Sequence, residues 1–269
     1  MNQTIQAPSG VLEDKPNHAR IYDYFLGGYH NFEVDRVLAE QLLKVLPVAR
    51  LSAMANRALL RRLVQFLVAQ GIDQLLDIGS GLPTVGNVHE VAQTANPAAR
   101  VVYVDIDPVA VAHSQAILKD NHNAAAIQGD VRQPDQILNH PEVRRLIDLS
   151  RPAGILLIAI LHVVTDDQLA YGAVRVLRDA LAPGSYLAVA HATNESSSNE
   201  AVQQAVKTGR AVSDSKMRTR AEVERFFEGL ELVEPGLVYV PLWRPEGPDD
   251  VCFDQPDRSL SYAGVGRKP

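Results

Sequence analysis

The chain has 269 residues, 46% hydrophobic and 22% charged, enough for one large α/β domain or two small ones around an ordinary core. A net charge of −6 without any Lys/Arg cluster disfavours a nucleic-acid partner, and the basic pairs Arg61-Arg62 and Arg144-Arg145 read as solvated helix faces. The single cysteine excludes an intramolecular disulfide, no signal-peptide pattern is present, and the longest apolar run, GILLIAIL (154–161), is too short to span a bilayer; a soluble, cytoplasmic protein with no membrane partner is expected.

Residues 1–15 are polar, carry Pro8, Ser9 and Gly10, and read as a mobile tail. Residues 16–70 read as a helical extension, forming one structural unit with an α/β domain over 71–269. In NHARIYDYFLGGYHNF (17–32), Tyr22, Tyr24, Phe25 and Tyr29 flank the pair Gly27-Gly28. A glycine break lets a short helix bend over a pocket, and aromatic faces suit a cation or an adenine ring. The other reading is an aromatic patch that docks the extension onto the core. FEVDRVLAEQLLKVLP places Val34, Leu38, Leu42 and Leu46 four apart and stops at Pro47. NRALLRRLVQFLVAQG repeats the theme with Leu59, Leu63, Phe66 and Leu67, ending on Gly71.

Short apolar runs then alternate with helical stretches: QLLDIG (74–79), RVVYVDID (100–107), AAIQGD (125–130), GILLIAIL and SYLAVAHA (185–192). That spacing predicts a parallel sheet covered by helices. A polar excursion over 193–219 follows. Thr219 and Glu222 then form the capping box of a last helix, and GLVYVPLW (236–243) and LSYAGVGRK (260–268) read as two more strands.

The stretch LLDIGSGLPTVGNVHE (75–90) is a strand, a tight glycine turn and a helix, the general recipe for holding a nucleotide at the carboxyl edge of a parallel sheet. Gly79 and Gly81 fit the dinucleotide fingerprint, but Thr84 stands where its third glycine belongs, and no phosphate loop occurs. The turn is built for close approach of a ligand to the backbone, or is purely structural. Asp105 ends the second strand, where an acid accepts from ribose hydroxyls. Asp130 ends the third, where it accepts from an adenine amino group. Asp77, before the glycines, holds a cationic group or braces the loop. Any one of these acids is as readily a helix cap; the ordered set suits a positively charged ligand without phosphates, such as S-adenosylmethionine.

His162 and His191 follow the fourth and fifth strands at the ligand edge, where an imidazole is the natural base for taking a proton from an acceptor. Each is otherwise a histidine hydrogen-bonded within its own loop. Nothing in the spacing fixes a role for Glu195. His89 and Glu90 point about 100° apart on a helix and make no metal pair, so no metal is expected. Cys252 reads as a bystander.

LLDIGSG, VVYVDIDP, AIQGD and LAPGSYLAVAH stand in the order and spacing of class I S-adenosylmethionine-dependent methyltransferases. ARIYDYFLGGYHNFEVDR, DIGSGLPTVGNVHEVAQ and YAGVGRKP resemble, more narrowly, a bacterial S-adenosyl methyltransferase family of mostly unassigned substrate, from about residue 16 to the C-terminus. The resemblance implies a Rossmann-like, seven-stranded and mostly parallel sheet with an antiparallel last strand, beneath an N-terminal helical lid. It implies S-adenosylmethionine as cofactor and S-adenosylhomocysteine as product. Gly79, Gly81, Asp105 and Asp130 would carry cofactor contacts, with Asp77, Ile106 and Val131 beside them. Tyr22 and Tyr24 would join from the lid, with Asn31 and Arg36 as further members, and His162 is favoured as the base because the segment after strand four lines the substrate site in related enzymes. The acceptor would be an oxygen or nitrogen of an unidentified small molecule. ILHVVTDD after strand four, in place of an Asn-Pro-Pro-Tyr motif, argues against nucleobase or amide nitrogen targets. A non-catalytic S-adenosylmethionine-binding regulatory or interaction protein is the alternative; a nicotinamide dehydrogenase fails on Thr84 and on the strand-three acid. The sequence leaves the oligomeric state open.

Overall fold

The computed structural model describes residues 14–83, 86–195 and 215–269. Nearly all of the expected tail at 1–15, most of the excursion at 193–219, and Thr84 lie outside the described residues. Five strands, β1 (Gln74–Ile78), β2 (Arg100–Asp105), β3 (Ala124–Gln128), β4 (Gly154–Ile158) and β5 (Tyr186–Ala192), pair in parallel in the order β3-β2-β1-β4-β5. Two short segments, β6 (Glu231–Leu232) and β7 (Val238–Tyr239), share one edge of β8 (Ser261–Arg267), which runs antiparallel to β5. The sheet therefore has eight segments in seven positions. Pro235, which has no N–H to give to a ladder, lies in the gap between β6 and β7. The strand expected over 236–243 is correspondingly only two residues long, and Val240–Leu242 turns into a 3-10 helix.

The sheet is buried on both faces, as a parallel sheet must be. On one face Leu75, Val101 and Leu156 pack with Leu59, Leu63 and Leu67 of α3 (Ala49–Ala69), the stripe expected from the sequence. Fully burying such a leucine stabilises the fold by roughly 1.5–3 kcal/mol. On the other, Leu76, Val102, Ile155 and Leu187 pack with Ile137, Val143 and Val174 from the later helices. Arg62 departs from its expected place on a solvated face. It is buried, donates from Nε to Trp243 O at 3.0 Å and from Nη2 to Val240 O at 3.0 Å, and pairs with Asp250.

The N-terminal unit consists of α1 (His18–Phe25), α2 (Glu33–Val45) and the start of α3. Its small core is Ile21, Phe25, Ala39, Leu42 and Ala53. The inward face of α2 runs through Asp35, Ala39 and Leu42 rather than the Val34-Leu38-Leu42-Leu46 row, because Asp35 is a buried hub. Its carboxylate accepts from Asn17 N (2.8 Å), Phe32 N (2.9 Å) and Arg20 Nε (2.8 Å). Arg20 reaches on to Asp107 at 3.3 Å, where Asp107 caps the helix Pro108–Ile117, so one buried ion-pair chain joins the extension to the α/β domain.

Gly27 (φ +80°) ends α1, while Gly28 is demanded by contact: a Cβ there would lie 2.0 Å from Asp23 Oδ1. Asp23 is itself held by His30 N and Asn31 Nδ2. Gly28→Ala is therefore expected to destabilise the fold by about 1–3 kcal/mol, read as a lower denaturant midpoint with an unchanged slope. A midpoint equal to wild type would mean that Asp23 moves aside freely.

Candidate active site

The carboxyl ends of β1, β2 and β4 open, together with α1 and the first turns of α3, onto one cavity of about 380 Å³. That volume lies in the range of small-molecule sites, roughly 300–1,000 Å³. β1 runs into Gly79 (φ +78°), whose N–H donates to Val104 O at 2.8 Å and whose missing Cβ would stand 2.5 Å from Ile160. Gly81 (φ +67°) has open space where a Cβ would be and presents its backbone to the cavity.

Asp105 is almost fully buried at the end of β2. Its Oδ2 accepts from Gly81 N at 2.7 Å and its Oδ1 from Asp107 N at 2.9 Å. The acid thus holds the glycine turn in shape while lining the cavity, with Ile106 beside it. Burial raises its pKa, against the pull of those amide donors. Asp77 also lines the cavity, and burial pushes its pKa up to about 7; nearby Arg57 opposes the rise and Asp105 adds to it. Ala159, just past β4, is held at φ +56°, a conformation that costs a non-glycine residue energy and that clusters at ligand sites.

His162 lines the cavity from the turn after β4. Its Nδ1 is buried without a protein partner, and burial pushes its pKa down to about 3, assisted by His191, His18 and Arg218. His191 faces the interior instead. Arg218 donates to its Nε2 at 2.8 Å, which makes Nδ1 the donor to Ala192 O at 2.7 Å, and burial holds the ring neutral with a pKa of about 4. Arg218, completely buried, also donates to Leu161 O (3.1 Å) and Val164 O (3.0 Å) and pairs with Asp167 at 2.9 Å. It ties the His162 turn to β5 and to the start of the helix Asp167–Ala180.

The remaining sequence-derived candidates divide. Tyr22 lines the cavity and donates to Ala53 O at 2.9 Å, with burial pushing its pKa up to about 12. Tyr24 points outward to Glu40 Oε1 at 2.5 Å. Arg36 donates to Asn31 O, and both belong to the polar scaffold around Asp23 rather than to the cavity wall. Val131 is buried in the core. Asp130 lies off the wall with both oxygens engaged by Arg132. That pair is half exposed on its arginine side and worth little, so accepting from a ligand would require Arg132 to give way. Glu195 caps the chain near Arg220 and Tyr239, away from the cavity. Cys252 is buried, its thiol pushed up to about 11 by burial.

Sequence reasoning missed Asn56, Arg57, Ser52, His18 and Arg218. Asn56 lines the cavity with its Oδ1 buried and unpartnered. A signal for it existed, since Asn56 continues the Leu59-Leu63-Leu67 stripe toward the N-terminus as a polar residue on a buried face. No comparable signal pointed to Arg218, whose partners lie 27 to 57 positions away.

The cavity groups fit a cationic, hydroxyl-bearing ligand: two buried carboxylates, a glycine backbone and an orphaned amide oxygen. Among the described residues no three His, Cys, Asp or Glu side chains come together as a metal site, and no helix is long and apolar enough to cross a membrane. A family model described as S-adenosyl methyltransferase matches residues 5–269. A crystal structure of a candidate methyltransferase from Thermobifida fusca is 48% identical, covers 98% of this chain and 99% of that one, and superposes with a TM-score of 0.89. A DUF574 family protein from Streptomyces avermitilis is 39% identical over 96% of this chain and 99% of that one, with a TM-score of 0.87. Likeness of fold alone extends to human N-acetylserotonin methyltransferase in complex with S-adenosylmethionine, at 14% identity over 92% of this chain and 62% of that one, TM-score 0.50. No curated protein matches. The chain belongs to the S-adenosyl methyltransferase family, and is an enzyme of the class I fold that uses S-adenosylmethionine.

Proposed function

We propose that the enzyme methylates an oxygen or nitrogen atom of a small molecule held in this cavity beside the cofactor. One observation carries the reading: the glycine turn, Asp77 and Asp105 open onto the same cavity as His162 and the apolar side chains of α1 and α3. When bound, S-adenosylmethionine supplies a methyl group on a positively charged sulfur, the new bond forming as the carbon–sulfur bond breaks and its electron pair stays on sulfur.

The chain's own groups then have distinct tasks. Gly79 and Gly81 would admit the cofactor to the backbone, Asp105 would accept from its hydroxyls, and Ile106, Tyr22 and Asn56 would stand beside it. Asp77 would meet its positive charge. His162 is uncharged at neutral pH and offers Nδ1 to the acceptor's polar hydrogen. A base this weak contributes orientation more than proton removal, so rate enhancement rests on alignment and exclusion of water. The acceptor's proton is released to water as the new bond forms.

Calorimetric titration tests the reading. S-adenosylmethionine and S-adenosylhomocysteine should both bind, and a methylated acceptor should appear together with S-adenosylhomocysteine. Binding without turnover on any oxygen or nitrogen nucleophile would sink the acceptor assignment.

Asp77 gives a pH signature. Its pKa of about 7 in the free protein falls when a cation binds beside it, so affinity for S-adenosylmethionine rises with pH toward about 7 and levels off above. The limiting slope is about tenfold per pH unit. Asp77→Asn should flatten that profile and weaken binding. The same raised pKa means that the ionised carboxylate strains the empty fold as pH climbs from its unfolded value toward 7, so Asp77→Asn should stabilise the free protein above pH 7. An unchanged affinity profile in the variant would remove Asp77 from the site.

A further inference from the structure

The cavity carries few charged side chains. Arg57, Asp77 and Asp105 gather at the glycine-turn end and, among the described residues, are the lysine, arginine or carboxylate groups on its wall. From α1, the end of α2 and the start of α3 come the apolar side chains Ile21, Phe25, Leu42, Leu46, Ala49 and Ala53, interrupted by the polar Tyr22, Ser52 and Asn56. Four of these also belong to the small core of the N-terminal unit, so one side of that core faces the cavity. His162, also on the wall, carries a buried nitrogen, Nδ1, without a hydrogen-bond partner.

An ion placed against the apolar wall would lose its water without meeting a counter-charge, at a cost of several kcal/mol. A neutral apolar body there would release water instead. Resting on the function proposed above, we infer that the methyl acceptor is a neutral, largely apolar molecule that lies between α1, α2 and α3 and turns one hydroxyl or N–H toward His162. The N-terminal unit is then the acceptor-selecting wall of the enzyme as well as its cover.

The test uses the full chain saturated with S-adenosylhomocysteine, titrated by calorimetry with naphthol, naphthoate and naphthylmethylammonium, which are close in size and differ in charge. Naphthol should bind at least ~10-fold tighter than either ion. Leu46→Trp, which fills the wall, should weaken naphthol at least ~10-fold while S-adenosylhomocysteine affinity stays within about threefold. Ala49→Leu is a smaller plug on the same wall, with the same readout should the first variant fold poorly. Either ion binding as tightly as naphthol, naphthol failing to bind the loaded protein, or naphthol indifferent to both plugs overturns the inference. Failure of S-adenosylhomocysteine itself to bind the folded wild type overturns the underlying function instead.

Discussion

Asp105→Ala is expected to lower S-adenosylmethionine affinity by at least ~100-fold, about 2.7 kcal/mol. Two effects act together. The variant removes an acceptor for the ligand's hydroxyls, and it orphans the N–H groups of Gly81 and Asp107, which the two carboxylate oxygens now hold at 2.7 and 2.9 Å. A buried donor left without a partner costs about 1–3 kcal/mol. The glycine turn should therefore loosen as the ligand contact disappears, and the thermal midpoint should fall as well. Asp105→Asn separates the two effects, because it keeps one acceptor oxygen and should retain more stability than affinity. Titration calorimetry beside a melting curve reads both. Affinity within fivefold of wild type in Asp105→Ala would show that the turn is shaped by other contacts and that the acid does not meet the ligand.

Arg218→Leu should produce the largest loss of stability, about 3–5 kcal/mol, because several buried acceptors lose their donor at about 1–3 kcal/mol each. The guanidinium bonds to Leu161 O, Val164 O, His191 Nε2 and Asp167, and its plane packs over the Tyr171 and Phe226 rings. A leucine fills part of the space and leaves two carbonyls and an imidazole nitrogen facing apolar surroundings. Arg218→Lys should recover little, since one ammonium on a flexible stem cannot reproduce the fork. Urea unfolding followed by the fluorescence of the buried Trp243 measures the difference. A loss below about 1 kcal/mol would mean that the His162 turn is held by its backbone alone. Because the turn carries His162, acceptor binding should weaken in either variant more than cofactor binding does.

The parallel sheet and the glycine turn were legible because they rest on local patterns: apolar runs at βα spacing, an acid at a strand end, a glycine pair before a helix. The capping box at Thr219 and the leucine stripe of α3 were legible for the same reason. Arg62 was misread because its neighbours in sequence suggest a surface, while its partners, Val240 and Trp243, arrive from the far end of the chain.

By itself, then, the sequence determined the class of fold, the family through motifs spread along the chain, and two acids, Asp77 and Asp105, that line the cavity, since each of these rests on short local patterns. Only the tertiary structure decided which candidates share the cavity. It turned Tyr22 inward and Tyr24 outward, set Asp130 against Arg132, kept Asn31 and Arg36 as scaffold and made His191 a buried partner of Arg218. It also decided the chemistry of the groups that remain. Burial holds His162 neutral and brings Asp77 to the edge of ionisation at neutral pH. The cost of stripping water from a charge depends on everything packed around it, and that surrounding comes from segments far apart in the chain.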